Sequence, residues 1–137
     1  MSLPEGSAGD AEDLLQVHTT TTVASEPDGD PADGDSAEVV MVAATGEVDM
    51  LTVPLLADAV SAALARGPGV LVIDLTGVTF LASAGLSVLL QADQAAGAAI
   101  AVRVVVIPGS AAERSITAAG VDALLTVVGT RAAALIA

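Results

Sequence analysis

The chain has 137 residues, enough for one domain with its own core and too few for two ordinary ones. Hydrophobic residues make up 53% of it, but alanine fills 29 positions and Phe80 is the only aromatic, so the core must be built from Val, Leu, Ile and Ala. Seventeen acidic residues stand against four arginines and no lysine, a net charge of -13; this excludes nucleic-acid binding through phosphate contacts and disfavours an anionic membrane surface.

The start of the chain, residues 1–9, lacks a basic n-region and an apolar h-region, so no signal peptide is expected. No apolar run approaches the roughly 18 residues needed to span a bilayer. Cysteine is absent, which fits a reducing compartment, and the expectation is a soluble cytoplasmic protein. Residues 1–38 hold ten acidic side chains and no basic ones. Residues 1–13 therefore read as a disordered acidic tail. Residues 14–23 (Leu-Leu-Gln-Val-His-Thr-Thr-Thr-Thr-Val) are rich in β-branched side chains and read as an edge strand. An acidic Gly/Pro/Asp loop follows over 26–37.

From residue 39 the pattern becomes regular. Residues 39–44 form a short apolar strand ending at Thr45-Gly46. A helix follows, with Thr52 as cap, Pro54 in the first turn, and Val53, Leu56, Val60 and Leu64 on one face. Gly67-Pro68 ends it. Residues 70–75 are a continuous apolar strand, as expected of one covered on both faces. Residues 83–97 read as a helix with Leu86, Leu89 and Leu90 inward. A strand over 100–107 ends at Pro108-Gly109. Ser110 and Glu113 make a capping box for a third helix, which stops at Gly120. Residues 124–128 are a last strand and 131–137 a last helical turn or two. The expected core includes Leu56, Val60, Val70, Val72, Leu86, Leu89, Leu90 and Val104. Strand–helix alternation with short connections predicts a single α/β domain, with a mixed, mostly parallel sheet of about four or five strands and about four helices.

Enzyme chemistry fails on inventory. A phosphate-binding P-loop needs a lysine, and there is none; nor is there a thiolate or a cysteine-based zinc site. Ser83 resembles a nucleophile elbow, but Leu81 stands where a glycine would relieve the turn. The only histidine, His18, precedes the serine and reads as a solvated strand residue. The run Asp28, Asp30, Asp33, Asp35 misses calcium-loop spacing by one residue and reads as a solvated acidic loop. No cofactor and no metal are expected.

In open α/β sheets function gathers beyond the carboxyl ends of the strands. The relevant loops are Gly46-Glu47-Val48-Asp49 and residues 76–84. Ser83 in the second reads in two compatible ways. It caps the following helix, or it is a site where a phosphate is tolerated, because a helix N-terminus favours negative charge.

The turn Gly46-Glu47-Val48-Asp49 and the segment over 70–86 (Val-Leu-Val-Ile-Asp-Leu-Thr-Gly-Val-Thr-Phe-Leu-Ala-Ser-Ala-Gly-Leu) resemble the STAS domains of bacterial anti-sigma factor antagonists. The stretch over 108–125 resembles the C-terminal part of that family. The resemblance spans about 39–137 and draws in the strand at 14–23. It implies a STAS domain over 14–137 with an acidic insertion at about 24–38. It also implies a non-enzymatic protein that, when unphosphorylated, binds an anti-sigma serine kinase and frees the sigma factor. Phosphorylation of one serine breaks that complex and a phosphatase resets it. By this resemblance the phosphorylated residue is Ser83, and the partner contacts Glu47, Asp49, Ala82, Ser83, Ala84 and Gly85.

The chain departs from the family pattern at Ala82, where an aspartate usually precedes the phosphoserine. A carboxylate is thereby lost from the kinase-facing loop. The rival reading within the family is an accessory subunit of a transport or stress-signalling assembly, with Ser83 only structural. A small hydrolase is the reading from another class.

Overall fold

The computed structural model describes residues 11–23 and 38–136. The expected tail over 1–10, the acidic run Asp28–Asp35 and nearly all of the expected insertion lie outside the described residues. A helical turn, α1 (Ala11–Leu14), leads into β1 (Leu15–Val23), so residues 11–13 have regular structure. The β-branched run of β1 lies antiparallel to β2 (Glu38–Val48), from Leu15 opposite Gly46 to Val23 opposite Glu38. Then follow α2 (Val53–Ala65), β3 (Val70–Leu81), α3 (Ser83–Ala96), β4 (Ala101–Val105), α4 (Ala111–Ala118), a 3-10 turn (Val121–Ala123), β5 (Thr126–Val128) and α5 (Arg131–Ile136). The sheet order is β1-β2-β3-β4-β5, with β2 to β5 all parallel.

This order explains where the helices sit. Each step from β2 to β5 moves one strand in the same direction, and right-handed crossovers then place α2, α3 and α4 on one face. Leu56 and Val60 of α2, Leu89 and Ala92 of α3 and Ile116 of α4 pack there on Val40, Val42, Leu71, Ile73 and Val104. The opposite face is covered by α5, whose Ala134 packs with Val39, Val72 and Val105. Two polar ties hold α5: Arg131 Nε donates to Asp74 Oδ2, and Arg103 Nη1 donates to the Ala134 carbonyl at 2.7 Å. Asp74 is only 1% exposed, and its other oxygen accepts from the Thr76 N–H at 2.9 Å. Of the expected core, Leu56, Val60, Val72, Leu89 and Val104 are buried, whereas Val70, Leu86 and Leu90 are half-buried at its margin.

Several boundaries differ from the sequence expectation. The strand expected to stop at Ala44 runs to Val48, and the one expected over 70–75 runs to Leu81. The two extensions pair with each other, Thr45 with Gly77, Gly46 with Val78, Glu47 with Phe80 and Val48 with Leu81. Register shifts at Ala43/Thr45 and Gly46/Glu47 absorb the turn-forming residues as bulges. The fourth strand is shorter than expected, leaving Ile107 exposed, and the last begins at Thr126 because a 3-10 turn takes up 121–123. At α4 the Ser110 hydroxyl accepts from the Glu113 N–H at 3.2 Å, as a capping box requires. The Glu113 carboxylate, however, takes the Gly109 N–H at 2.7 Å rather than that of Ser110.

Candidate functional site

The paired ends of β2 and β3 project past the end of β4 and carry both loops singled out above. Their connection continues one residue beyond the strands: the Ala82 N–H donates to the Val48 carbonyl at 2.8 Å. Asp49 and Ser83, the residues next along each chain, are thereby brought to one place.

Asp49 organises its own turn. Its Oδ1 accepts the N–H groups of Leu51 and Thr52, each at 3.0 Å. The hydroxyl of Thr52, fully buried, donates to the Glu47 carbonyl at 2.7 Å and accepts the Asp49 N–H at 2.9 Å. The expected cap of α2 is therefore corrected. Thr52 occupies the cap position, but its side chain bonds backward into the turn and caps nothing. The Asp49 carbonyl instead receives the Val53 N–H at 2.8 Å. Glu47 is exposed beside this turn.

Ser83 is corrected in the same way. Ala82 holds the N-cap position of α3, with extended backbone (φ -85, ψ 171) and no side chain able to cap. Ser83 is the first helical residue and is exposed. The Ala82 carbonyl accepts from Gly85 and Leu86 at 2.9 and 3.2 Å. The N–H groups of Ser83 and Ala84, at the start of the helix, lie beyond the reach of intrahelical acceptors. The first turn of α3 carries no acidic side chain. The Ser83 carbonyl accepts the Ser87 hydroxyl at 3.2 Å.

Ala82 and Ala84 are half-buried, and Gly85 is buried. A Cβ on Gly85 would lie 2.5 Å from Leu81 Cδ1 and 2.7 Å from Val48 Cγ1. Gly85 therefore seats the helix against the two strand ends. Gly46 has a φ of 121°, and a Cβ there would collide with the Leu14 carbonyl oxygen. Only glycine lets β1 begin its pairing beside this turn.

All four arginines are engaged elsewhere. Arg66 pairs with Glu38 at 3.1 Å, Arg131 with Asp74, Arg103 with the Ala134 carbonyl, and Arg114 with the Gly109 carbonyl at 2.6 Å. Glu47 and Asp49 thus form an anionic surface with no neutralising cation among the described residues. His18 is exposed on β1, an outer strand separated from β3 by β2. Among the described residues no group of three His, Cys, Asp or Glu side chains is placed to hold a metal ion.

One feature of the surface was missed in the sequence. Met50 is 84% exposed, Leu51 52% and the lone aromatic Phe80 49%, all flanking the Val48–Ala82 connection. The solitary aromatic was the available signal, because a chain this short of large side chains would ordinarily bury it.

A sequence model of the family described as "Mlab, STAS domain" matches residues 32–128. The chain belongs to the STAS-domain family. It is 35% identical over 88 residues to the anti-sigma-F factor antagonist RsfB of Mycobacterium tuberculosis, in strains CDC 1551 and H37Rv, covering 64% of this chain and 71% of that protein. It is similar to the crystal structure of an anti-sigma factor antagonist from Mycobacterium paratuberculosis, with a TM-score of 0.68 and 34% identity over 87% of this chain and 92% of the other. This STAS domain has the mixed five-stranded sheet expected from its sequence. No helix among the described residues is long and apolar enough to cross a membrane.

Proposed function

We propose that this STAS protein is an anti-sigma factor antagonist whose contact surface is the joined end of β2, β3 and α3. In the unphosphorylated state it binds an anti-sigma factor that is also a serine kinase, which frees the sigma factor. The partner supplies ATP and transfers its γ-phosphoryl group to the Ser83 hydroxyl, releasing ADP and the hydroxyl proton; a phosphatase hydrolyses the ester. The protein itself is a cytoplasmic binding protein rather than an enzyme and needs no cofactor. Its relatives' names support the antagonist role.

The observation that carries the switch is Ser83, exposed on the uncapped first turn of α3, next to Ala82, whose N–H donates to the carbonyl of Val48, between Glu47 and Asp49. A phosphoserine there brings about −1.5 to −2 charges. The fold tolerates it, because the helix dipole and the open amides of the first turn favour an anion. The added charge is not neutralised internally, since every arginine is occupied elsewhere. It remains on the surface, where a partner must desolvate it beside two carboxylates, so binding weakens.

The test is to incubate the protein with the anti-sigma factors of its host and ATP, and to map phosphate by mass spectrometry. Phosphate at Ser83, absent in Ser83→Ala, is the expected result. A complex that forms but leaves Ser83 unmodified would favour a scaffold role. Ala82→Asp then asks whether the carboxylate usual in the family restores transfer.

A further inference from the structure

We infer that Phe80, Met50 and Leu51 form the apolar anchor by which this protein holds its anti-sigma partner, with Glu47 and Asp49 as an anionic rim facing lysine or arginine. The inference rests on the antagonist reading and assigns the residues that carry its affinity.

The eight exposed large hydrophobic residues among those described are not spread evenly. Leu135 and Ile136 end the described chain, Val23 ends β1, and Ile107 and Leu124 stand in separate connections. Single exposed apolar residues are ordinary, but three gathered at one end of the sheet point to a contact surface. Met50 and Leu51 belong to the turn that Asp49 organises, and Phe80 is the register partner of Glu47 on the adjoining strand. All three flank the Val48–Ala82 bond that brings Asp49 to Ser83.

Phe80 is the only aromatic side chain in 137 residues, and it is half-exposed while valine, leucine, isoleucine and alanine fill the core. Aromatic side chains contribute the largest apolar area per residue and dominate hot spots at interface centres. Met50 adds an adaptable neighbour able to conform to a partner's pocket.

Charge selects the occupant. Among the described residues Glu47 and Asp49 have no cation partner, and the chain as a whole carries a net charge of -13. A second copy would bring like charge to the same surface. A protein offering an apolar pocket rimmed by lysine or arginine complements it. The two parts of the surface then act on different rate constants: the anchor sets dissociation, and the anionic rim sets association and its salt dependence. Phosphoserine at position 83 changes the rim and leaves the anchor intact.

The experiment measures association and dissociation rates between this protein and the purified anti-sigma factors of its host, at low and physiological salt. Phe80→Ala should weaken the complex about 30-fold or more, chiefly through faster dissociation. Met50→Ala, at a position too exposed to disturb folding, should change the same rate constant in the same direction. Glu47→Gln should slow association and flatten its salt dependence. Leu124→Ala, exposed elsewhere, should bind within about two-fold of wild type. If wild type binds and Phe80→Ala and Met50→Ala both match it, the anchor is overturned while the antagonist reading stands. If wild type binds none of the anti-sigma factors, the antagonist reading falls, and this assignment with it.

Discussion

The Ala82 N–H donates to the Val48 carbonyl at 2.8 Å, and this bond joins two loops that are more than thirty residues apart in the chain. It extends the parallel pairing of β2 and β3 by one residue, to the point where α3 begins. Because Ala82 is also the N-cap of α3, the same residue fixes both the approach of Asp49 and the exposure of Ser83.

Ser83 does not cap α3, so its hydroxyl contributes little to folding. Ser83→Ala should change unfolding free energy by less than about 0.5 kcal/mol. Ala82→Ser or Ala82→Asp should stabilise by about 0.5–2 kcal/mol, because the backbone at 82 already has capping geometry and lacks only the acceptor. Urea titration of the three variants checks both statements. A larger loss at Ser83→Ala than gain at Ala82→Ser would contradict the assignment of the cap.

Gly85→Ala tests the seating of the helix. A methyl group there meets Leu81 and Val48 at 2.5 and 2.7 Å, and both are buried strand residues with little room to move. The expected cost is about 1–3 kcal/mol, the range for overpacking a well-filled core. Unchanged stability would mean that α3 can lift from the strand ends freely.

Asp49 separates charge from geometry. Asp49→Asn keeps the oxygen that accepts from Leu51 and Thr52 and removes the negative charge, so stability should hold while association with a cationic partner slows. Asp49→Ala removes both and should also destabilise the turn by about 1–2 kcal/mol. Thermal unfolding beside binding kinetics distinguishes the two. Equal destabilisation by both substitutions would show that the carboxylate's charge, rather than its acceptor, holds the turn.

Arg131→Ala leaves the buried Asp74 carboxylate with only the Thr76 N–H. Since Arg131 itself is more than half exposed and water can replace it, the loss should be about 1–3 kcal/mol, below the range for a fully buried pair. Amide exchange should rise in α5 before it rises in α2 or α3. Uniform change across all helices would show that α5 unfolds only with the whole domain.

The alternation of apolar strands and amphipathic helices made the layer order legible, because periodicity reports burial directly. Leu89 and Leu56 were found for that reason. The strand ends were harder to read. Thr45-Gly46 and Thr76-Gly77 carry turn chemistry, and only pairing between two distant segments overrides it, so both strands were ended too early. The Ser83 cap was misplaced by one residue, since Ala82 has no side-chain signal for the cap position it occupies. The Asp74–Arg131 pair spans 57 residues and leaves no local trace. At the candidate site the sequence pointed to Glu47, Asp49 and the segment Ala82 to Gly85. It passed over Met50, Leu51 and Phe80 because an apolar residue announces burial unless the fold shows otherwise.

The most direct test of the switch compares the affinity of a host anti-sigma factor for unphosphorylated protein and for protein carrying phosphate stoichiometrically at Ser83. The phosphorylated form should bind at least about ten-fold more weakly while unfolding at the same or a higher temperature, since the added charge opposes the partner and suits the helix N-terminus. Equal affinity of the two forms would contradict the account.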